Sequence, residues 1–200
     1  MSQSLLKFQI GPVQDFIAQA RSTRDLWSGS YLISWLMAHA ISGLLDSCAG
    51  NAKDEVEIIF PAIAARDPLG RLRQPLVRYL RECAPNNTLS RDFVDRILSP
   101  NLPNLLLALV PENWKQAEVE EHVLKPMEKA WDEEQQACLD YYQTQFGIEP
   151  AFTKDEIELF RAQSQRFWQF TWQLWPMHDP KTLLNLVEGM PEGRAIKLHL

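Results

Sequence analysis

Two hundred residues with 20 Lys and Arg, 26 Asp and Glu and a net charge of −6 bound the chain to one domain, or one domain with a large insertion. Its 46% hydrophobic and 23% charged fractions are those of a soluble globular protein with a substantial core. The acidic balance argues against broad nonspecific nucleic-acid binding by this segment, and no apolar run approaches a membrane span. Cys48, Cys83 and Cys138 are odd in number, widely spaced and outside any CxxC pair. That pattern fits reduced thiols in the cytoplasm better than disulfides or zinc. The run Leu5–Ile10 is too short for a signal peptide and ends on Gly-Pro rather than a cleavage site.

Residues 5–10 read as a first strand, stopped by Gly11-Pro12. Val13, Phe16, Ile17 and Ala20 recur at helical spacing over 13–22. Ser22, with Asp25 three residues on, reads as a fresh N-cap. From there Leu26, Trp27, Tyr31, Leu32, Trp35, Leu36, Ala40, Ile41, Leu44 and Leu45 predict a long, heavily buried helix ending near Gly50. Ser28-Gly29-Ser30 breaks its first turns with small residues, which let a ligand or another helix come close.

Val56–Phe60, closed by Pro61, predicts a second strand, and Leu105–Val110, closed by Pro111, a third. Both are continuous apolar runs, which places both mid-sheet. Between them lie helix candidates at 75–83 and 91–98 and a turn at Asn101-Leu-Pro-Asn104. Residues 113–146 predict a long acidic helical region that Pro126 kinks or splits. Thr153 with Glu156 forms a capping box opening a helix over 153–165. In 167–175, Trp168, Phe170, Trp172 and Leu174 alternate with Gln169, Thr171 and Gln173, a strand with one buried face. A short helix around 181–188 follows. The predicted order, stripped of insertions, is βαββαβ, an α+β ferredoxin-like layout shared by polymerase palms, nucleotidyl cyclases and many binding modules. The divisions expected are a palm-like part over 1–112, an acidic helical insertion over 113–165, and a return strand with the start of a following region over 166–200.

Charge is uneven. Residues 66–96 hold seven arginines, no lysine and four acids, whereas 112–158 hold thirteen acids and four lysines. Both read first as solvated helical faces. The arginine-rich segment also suits a phosphate backbone or an acidic partner subunit.

Three stretches together carry a family resemblance: Ile-Gly-Pro-Val-Gln-Asp-Phe-Ile at 10–17, Ala-Arg-Ser-Thr-Arg-Asp-Leu-Trp-Ser-Gly-Ser at 20–30 and Asn-Leu-Pro-Asn at 101–104. They resemble the large, polymerase-like subunit of type III-B CRISPR effector complexes, the Cmr complexes. Ile59-Phe-Pro61 and the Trp-rich strand sit where that family would place them. The resemblance implies the first of two cyclase-like palms, in a subunit that makes cyclic oligoadenylate from ATP when target RNA pairs with guide RNA. It implies other Cmr subunits, guide RNA and target RNA as partners, and no membrane. The family's Gly-Gly-Asp-Asp metal site lies in the second palm and is absent from this sequence, so Mg²⁺ or Mn²⁺ is expected only with that palm. The sequence starts directly at the palm, so no HD nuclease domain is expected before it. Whether the chain is itself part of an enzyme stays open.

The residues read in parallel. The backbone at Gly11 and Pro12 could face a phosphate or ribose, Gln14 a base edge, Ser28, Gly29 and Ser30 a nucleoside, and Arg21 and Arg24 phosphate oxygens. This nucleotide-binding set stands beside a plainer account. In that account Gly11-Pro12 is only a tight turn, Ser28-Gly29-Ser30 only helix packing, and the arginines pair with Asp15 and Asp25. A two-metal transferase needs clustered carboxylates, and Asp15 alone reads better as a first-turn acid. His178-Asp179 reads as a turn. The aromatic strand suits core packing better than base stacking. The rival to a nucleotide-binding palm is a non-catalytic scaffold whose acidic helices contact neighbouring proteins.

Overall fold

A computed structural model of the chain describes residues 3–47, 56–63, 66, 68–86, 91–146 and 152–177. The expected turn at His178-Asp179, the helix around 181–188 and Cys48 lie outside these residues. The fold is α+β, with one four-stranded antiparallel sheet. Strand β1 (Gln3–Gly11) leads through a short helix α1 (Val13–Ala18) to the long helix α2 (Thr23–Asp46). Strand β2 (Glu57–Phe60) is followed by α3 (Pro75–Arg78) and α4 (Arg91–Ile97), and then by strand β3 (Leu105–Pro111). Helices α5 (Gln116–Val119), α6 (Lys125–Phe146) and α7 (Lys154–Gln165) precede strand β4 (Gln169–Met177).

The strands stand in the order β2-β3-β1-β4. On β1 the side chains alternate strictly: Ser4, Leu6, Phe8 and Ile10 are buried, and the intervening residues are half-buried. β3 repeats this with Leu106, Ala108 and Val110. The register sets Leu6 opposite Ala108 and Phe8 opposite Leu106, so these residues share one face. Ile33, Leu36, Met37, Ala40, Ile41 and Leu44 of α2 belong to the same core, as do Val119, Val123, Met127 and Ala130 of the acidic region. Each fully buried side chain of this size contributes about 1.5–3 kcal/mol. The acidic region is thus apolar on the stripe it turns inward.

Three expectations are corrected. β2 is an edge strand, with only Ile58 of its four residues buried; an apolar run says nothing of which neighbours a strand has. Leu26 and Trp27 are 41% and 43% exposed, because the first turns of α2 carry no buried residue before Ile33. The helix expected over 13–22 ends at Ala18, and Ser22 starts a new one.

The acidic helical region divides just before Pro126, as expected, into α5 and α6, with no non-helical residue between them. The turn before the proline, Glu120–Leu124, widens to a π-helical turn, in which the Lys125 N–H donates to the Glu120 carbonyl. Proline has no N–H for the carbonyl four residues back, and one wide turn absorbs that loss.

Candidate functional site

The stretch linking β1 to α2 builds its shape from local bonds. Gly11 ends β1 opposite Gln169, and the Gly11–Pro12 peptide is cis. α1 closes with the Gln19 and Ala20 N–H groups donating to the Phe16 and Ile17 carbonyls at 3.3 and 3.0 Å. The Ser22 hydroxyl then accepts the Asp25 N–H at 3.2 Å. The Asp25 carboxylate accepts the Arg21 N–H at 3.1 Å. This is the cap expected from the sequence, and it fixes the entry of α2.

α1 and the first turns of α2 bound a cleft of about 400 Å³. Phe16, Ile17, Leu32 and Phe167 form apolar walls, and Arg21, Asp25, Ser28 and Gly29 supply polar and backbone groups. The Phe16 ring holds the walls together: its centroid is 5.1 Å from that of Phe167 and 5.0 Å from that of Trp168, both edge-on. Gly29 is small for a reason within the fold, since a Cβ there would stand 3.0 Å from Phe16 Cε1.

The cleft gathers Arg21, Ser28 and Gly29 from the nucleotide-binding set. Gly11, Pro12, Gln14, Arg24 and Ser30 do not line it. Gly11 and Pro12 are half-buried, Gln14 and Arg24 exposed, and Ser30 half-buried. No Cβ clash requires glycine at position 11, where the nearest atom is the Gln169 carbonyl oxygen at 3.8 Å. Asp25 takes a backbone N–H from Arg21 rather than a guanidinium. Among the described residues no group of three or more His, Cys, Asp and Glu side chains could hold a metal ion.

The Asn101–Asn104 turn is stitched to both halves of the sheet and helix layer. The Asn104 side-chain amide donates to the Ile10 carbonyl at 2.9 Å, and the Ile10 N–H donates to the Asn104 carbonyl at 2.9 Å. The buried Ser34 hydroxyl donates to the Leu102 carbonyl at 3.0 Å and accepts the Leu102 N–H at 3.2 Å. The Gln74 side chain donates to Asn101 Oδ1 at 2.6 Å. The turn thereby holds the end of β1, from which the cleft-forming segment departs.

Part of the arginine-rich segment serves the fold. Arg81 Nη1 bonds Asp46 at 2.5 Å and the Ser42 carbonyl at 2.9 Å. Arg78 pairs with Glu82 at 3.4 Å and lies 4.7 Å from the Phe93 ring centre. Arg66 donates to the Gly70 carbonyl at 2.7 Å.

Along another face of α2 runs an aromatic ladder. Trp27 stacks on Tyr31 with centroids 5.5 Å apart, and Tyr31 on Trp35 at 6.5 Å. Trp35 meets His39 edge-on at 4.7 Å. Burial, then the Glu134 carboxylate, pushes the Tyr31 hydroxyl up from its ordinary pKa. Burial lowers that of His39, whose Nε2 is buried with no hydrogen-bond partner.

Residues 5–136 match the family model of the CRISPR-associated protein Cmr2, N-terminal region. The chain belongs to this Cmr2 N-terminal family. It is 37% identical over 125 residues to the CRISPR system Cmr subunit Cmr2 of Pyrococcus furiosus, an alignment covering 61% of this chain and 12% of the relative. It is 32% identical over 85 residues to the CRISPR system CMR subunit Cmr2 of Saccharolobus solfataricus, covering 42% of this chain and 7% of the relative. The chain therefore spans only a small part of the length of these Cmr2 relatives. The family match takes in the whole cleft-forming segment, α2 and the Asn101–Asn104 turn. Of the cleft's walls, Phe167 falls outside it. Sequence reading missed Phe16, Leu32 and Phe167 as cleft residues because each also reads as core, and only the folded chain brings Phe167 to α1.

Proposed function

We propose that this chain is the first, ferredoxin-like palm of a type III-B CRISPR large subunit and contributes one side of a composite ATP site for cyclic oligoadenylate synthesis. The observation that carries this reading is the cleft. Its apolar walls at Phe16 and Phe167 suit a nucleobase, and Arg21 and Ser28 beside them suit phosphate and ribose oxygens. Membership of the Cmr2 N-terminal family and the β2-β3-β1-β4 antiparallel order support it. Gly11, Pro12, Gln14, Arg24 and Ser30 flank the cleft in sequence and complete the proposed site. No carboxylate cluster accompanies them, so the residues here do not fit a catalytic divalent ion. The chemistry belongs to a second palm, and this part binds and orients. On this reading the protein works in the cytoplasm with other Cmr subunits, guide RNA and target RNA.

The test is ATP binding by the assembled complex, read by equilibrium binding of a labelled, non-hydrolysable ATP. Ser28→Trp fills the cleft and Arg21→Ala removes its guanidinium. Each should weaken binding about tenfold or more, the loss expected when a charge-assisted contact of about 1.5–3 kcal/mol goes. Unchanged affinity in both variants, with the complex intact, rejects the site.

The scaffold reading has its own observation. Tyr141 and Tyr142 of α6 and Leu159 and Phe160 of α7 are exposed, beside a groove of about 300 Å³ lined in part by Leu159 and Phe160. Such a patch commonly marks a protein contact. Charge reversal at Glu128 and Asp132 that breaks assembly and spares ATP binding would favour this reading.

A further inference from the structure

The groups of the cleft stand in a fixed order. Asp25, Ser28, Gly29 and Leu32 all line it, and spacings of three and four residues put them on one face of α2. At about 1.5 Å per residue, Asp25 stands roughly 6 Å nearer the start of α2 than Gly29. Gly29 is where α2 meets the Phe16 ring, so closely that a Cβ would stand 3.0 Å from Phe16 Cε1. Arg21 precedes the helix and is tied to the Asp25 carboxylate through its N–H. Toward the start of α2 the groups therefore run from apolar wall through hydroxyl and carboxylate to guanidinium. A nucleotide runs in the same order, from base through sugar to phosphate.

Asp25 is the polar group of the cleft whose chemistry has found no use so far. One carboxylate oxygen, Oδ2, accepts the Arg21 N–H at 3.1 Å. The other, Oδ1, takes no hydrogen bond among the described residues. A carboxylate accepts hydrogen bonds and donates none, so it repels phosphate and suits a donor. A nucleotide carries donors on its sugar hydroxyls and on the edge of its base. The base belongs at the aromatic wall, a turn of α2 beyond Asp25, and the phosphates belong at Arg21. The place between them, where Asp25 stands, is that of the sugar. A carboxylate that accepts ribose hydroxyls is a recurrent device in nucleotide sites.

We propose that Asp25 sets the sugar specificity of the cleft: Oδ1 accepts the vicinal hydroxyls of a ribose, and the site thereby selects ribonucleotides. This rests on the nucleotide reading of the cleft and adds a selectivity to it. A site with an acceptor placed for a hydroxyl rejects the analogue that lacks it, because the ligand covers the acceptor and leaves it without a partner. The Oδ2 bond to the Arg21 N–H holds the carboxylate in place before any ligand arrives, so little ordering is left to be done on binding.

Competition against labelled, non-hydrolysable ATP on the assembled complex tests this, counting only the binding that Ser28→Trp removes, so that any other nucleotide site drops out. ATP should bind wild type about tenfold or more tightly than 2′,3′-dideoxy-ATP, the loss expected when a hydrogen bond to a charged group goes. Asp25→Asn keeps a side-chain oxygen for the Arg21 N–H and exchanges the free charged acceptor for a neutral amide. The ratio of the two affinities should then fall toward one. Should the asparagine variant fail to assemble, the wild-type ratio decides. Equal wild-type affinities for ATP and the dideoxy analogue, or a ratio that Asp25→Asn leaves unchanged, overturn the proposal while the nucleotide site stands. A wild-type complex that binds no ATP, or ATP binding that neither Ser28→Trp nor Arg21→Ala weakens, rejects the site and this proposal with it.

Discussion

Gly43 of α2 lies directly against the backbone of His122. A Cβ built on Gly43 would stand 2.5 Å from the His122 carbonyl oxygen and would also clash with the Pro126 ring. That carbonyl is the one Pro126 cannot serve, being four residues before it. The glycine lets α2 approach where the partner helix has opened its wide turn. Gly43→Ala should therefore destabilise, although alanine favours a helix by about 1 kcal/mol over glycine. Overpacking against backbone costs about 1–3 kcal/mol or more, and a lowered thermal midpoint is the expected readout. Gly29→Ala meets only the Phe16 ring edge at 3.0 Å, which can shift, so its loss should be smaller. Equal midpoints for the two variants would contradict this account.

Ser34 offers a second test. Its hydroxyl is both donor to and acceptor from the backbone of Leu102, in a buried setting. Ser34→Ala removes both partners of that backbone and should cost about 1–3 kcal/mol. Chemical denaturation measures it, and a cost near zero would mean that other groups satisfy Leu102.

His39 gives the fold a pH dependence of known sign. Its pKa in the folded chain is below the ordinary 6.5 because burial disfavours the charged ring; Glu133 opposes that shift and Lys129 adds to it. The unfolded chain then binds more protons than the folded one in the window between the two values. The His39 contribution is intact above pH 6.5 and is lost as pH falls toward the lowered value. His39→Phe should flatten the stability profile in that window relative to wild type. Parallel profiles would show that His39 does not titrate differently on folding.

Glu134 runs the other way. Burial, with Glu133 nearby, raises its carboxyl pKa above 4.5, so the folded chain holds that proton more tightly. Its stabilising contribution is full at low pH and is lost as pH rises through the raised value. Glu134→Gln should thus gain stability at neutral pH and lose that gain in acid, as thermal midpoints across the range would record.

Much of this was legible where the signal is local. The Ser22 cap with Asp25 and the Thr153 box with Glu156 formed as spaced, because their partners are three residues away. The alternation in 169–175 placed Phe170, Trp172 and Leu174 on one face. Neighbour order was not legible: Val56–Phe60 and Leu105–Val110 look alike as apolar runs, yet one lies at an edge and the other inside. Nor was the exposure of Trp27, since helical spacing reports a stripe but not how far along the helix its partners extend. In the candidate site, Arg21, Ser28 and Gly29 were legible as small and cationic residues beside a helix start. The Phe16–Phe167 wall was not, because it depends on β4 returning beside β1.

The paired bonds at Asn104–Ile10 and Ser34–Leu102 have a consequence for how the chain varies. They fasten the far end of the 61–104 excursion to β1 and α2, while β2 beside β3 fastens the near end. A loop clasped at both ends costs chain entropy that grows only with the logarithm of its length, about 0.6 kcal/mol per doubling. Material can therefore be added cheaply at the exposed turn around Leu69 and Gly70, while Leu76 and Val77, fully buried in the core, the clasp and the strand end it holds stay as they are.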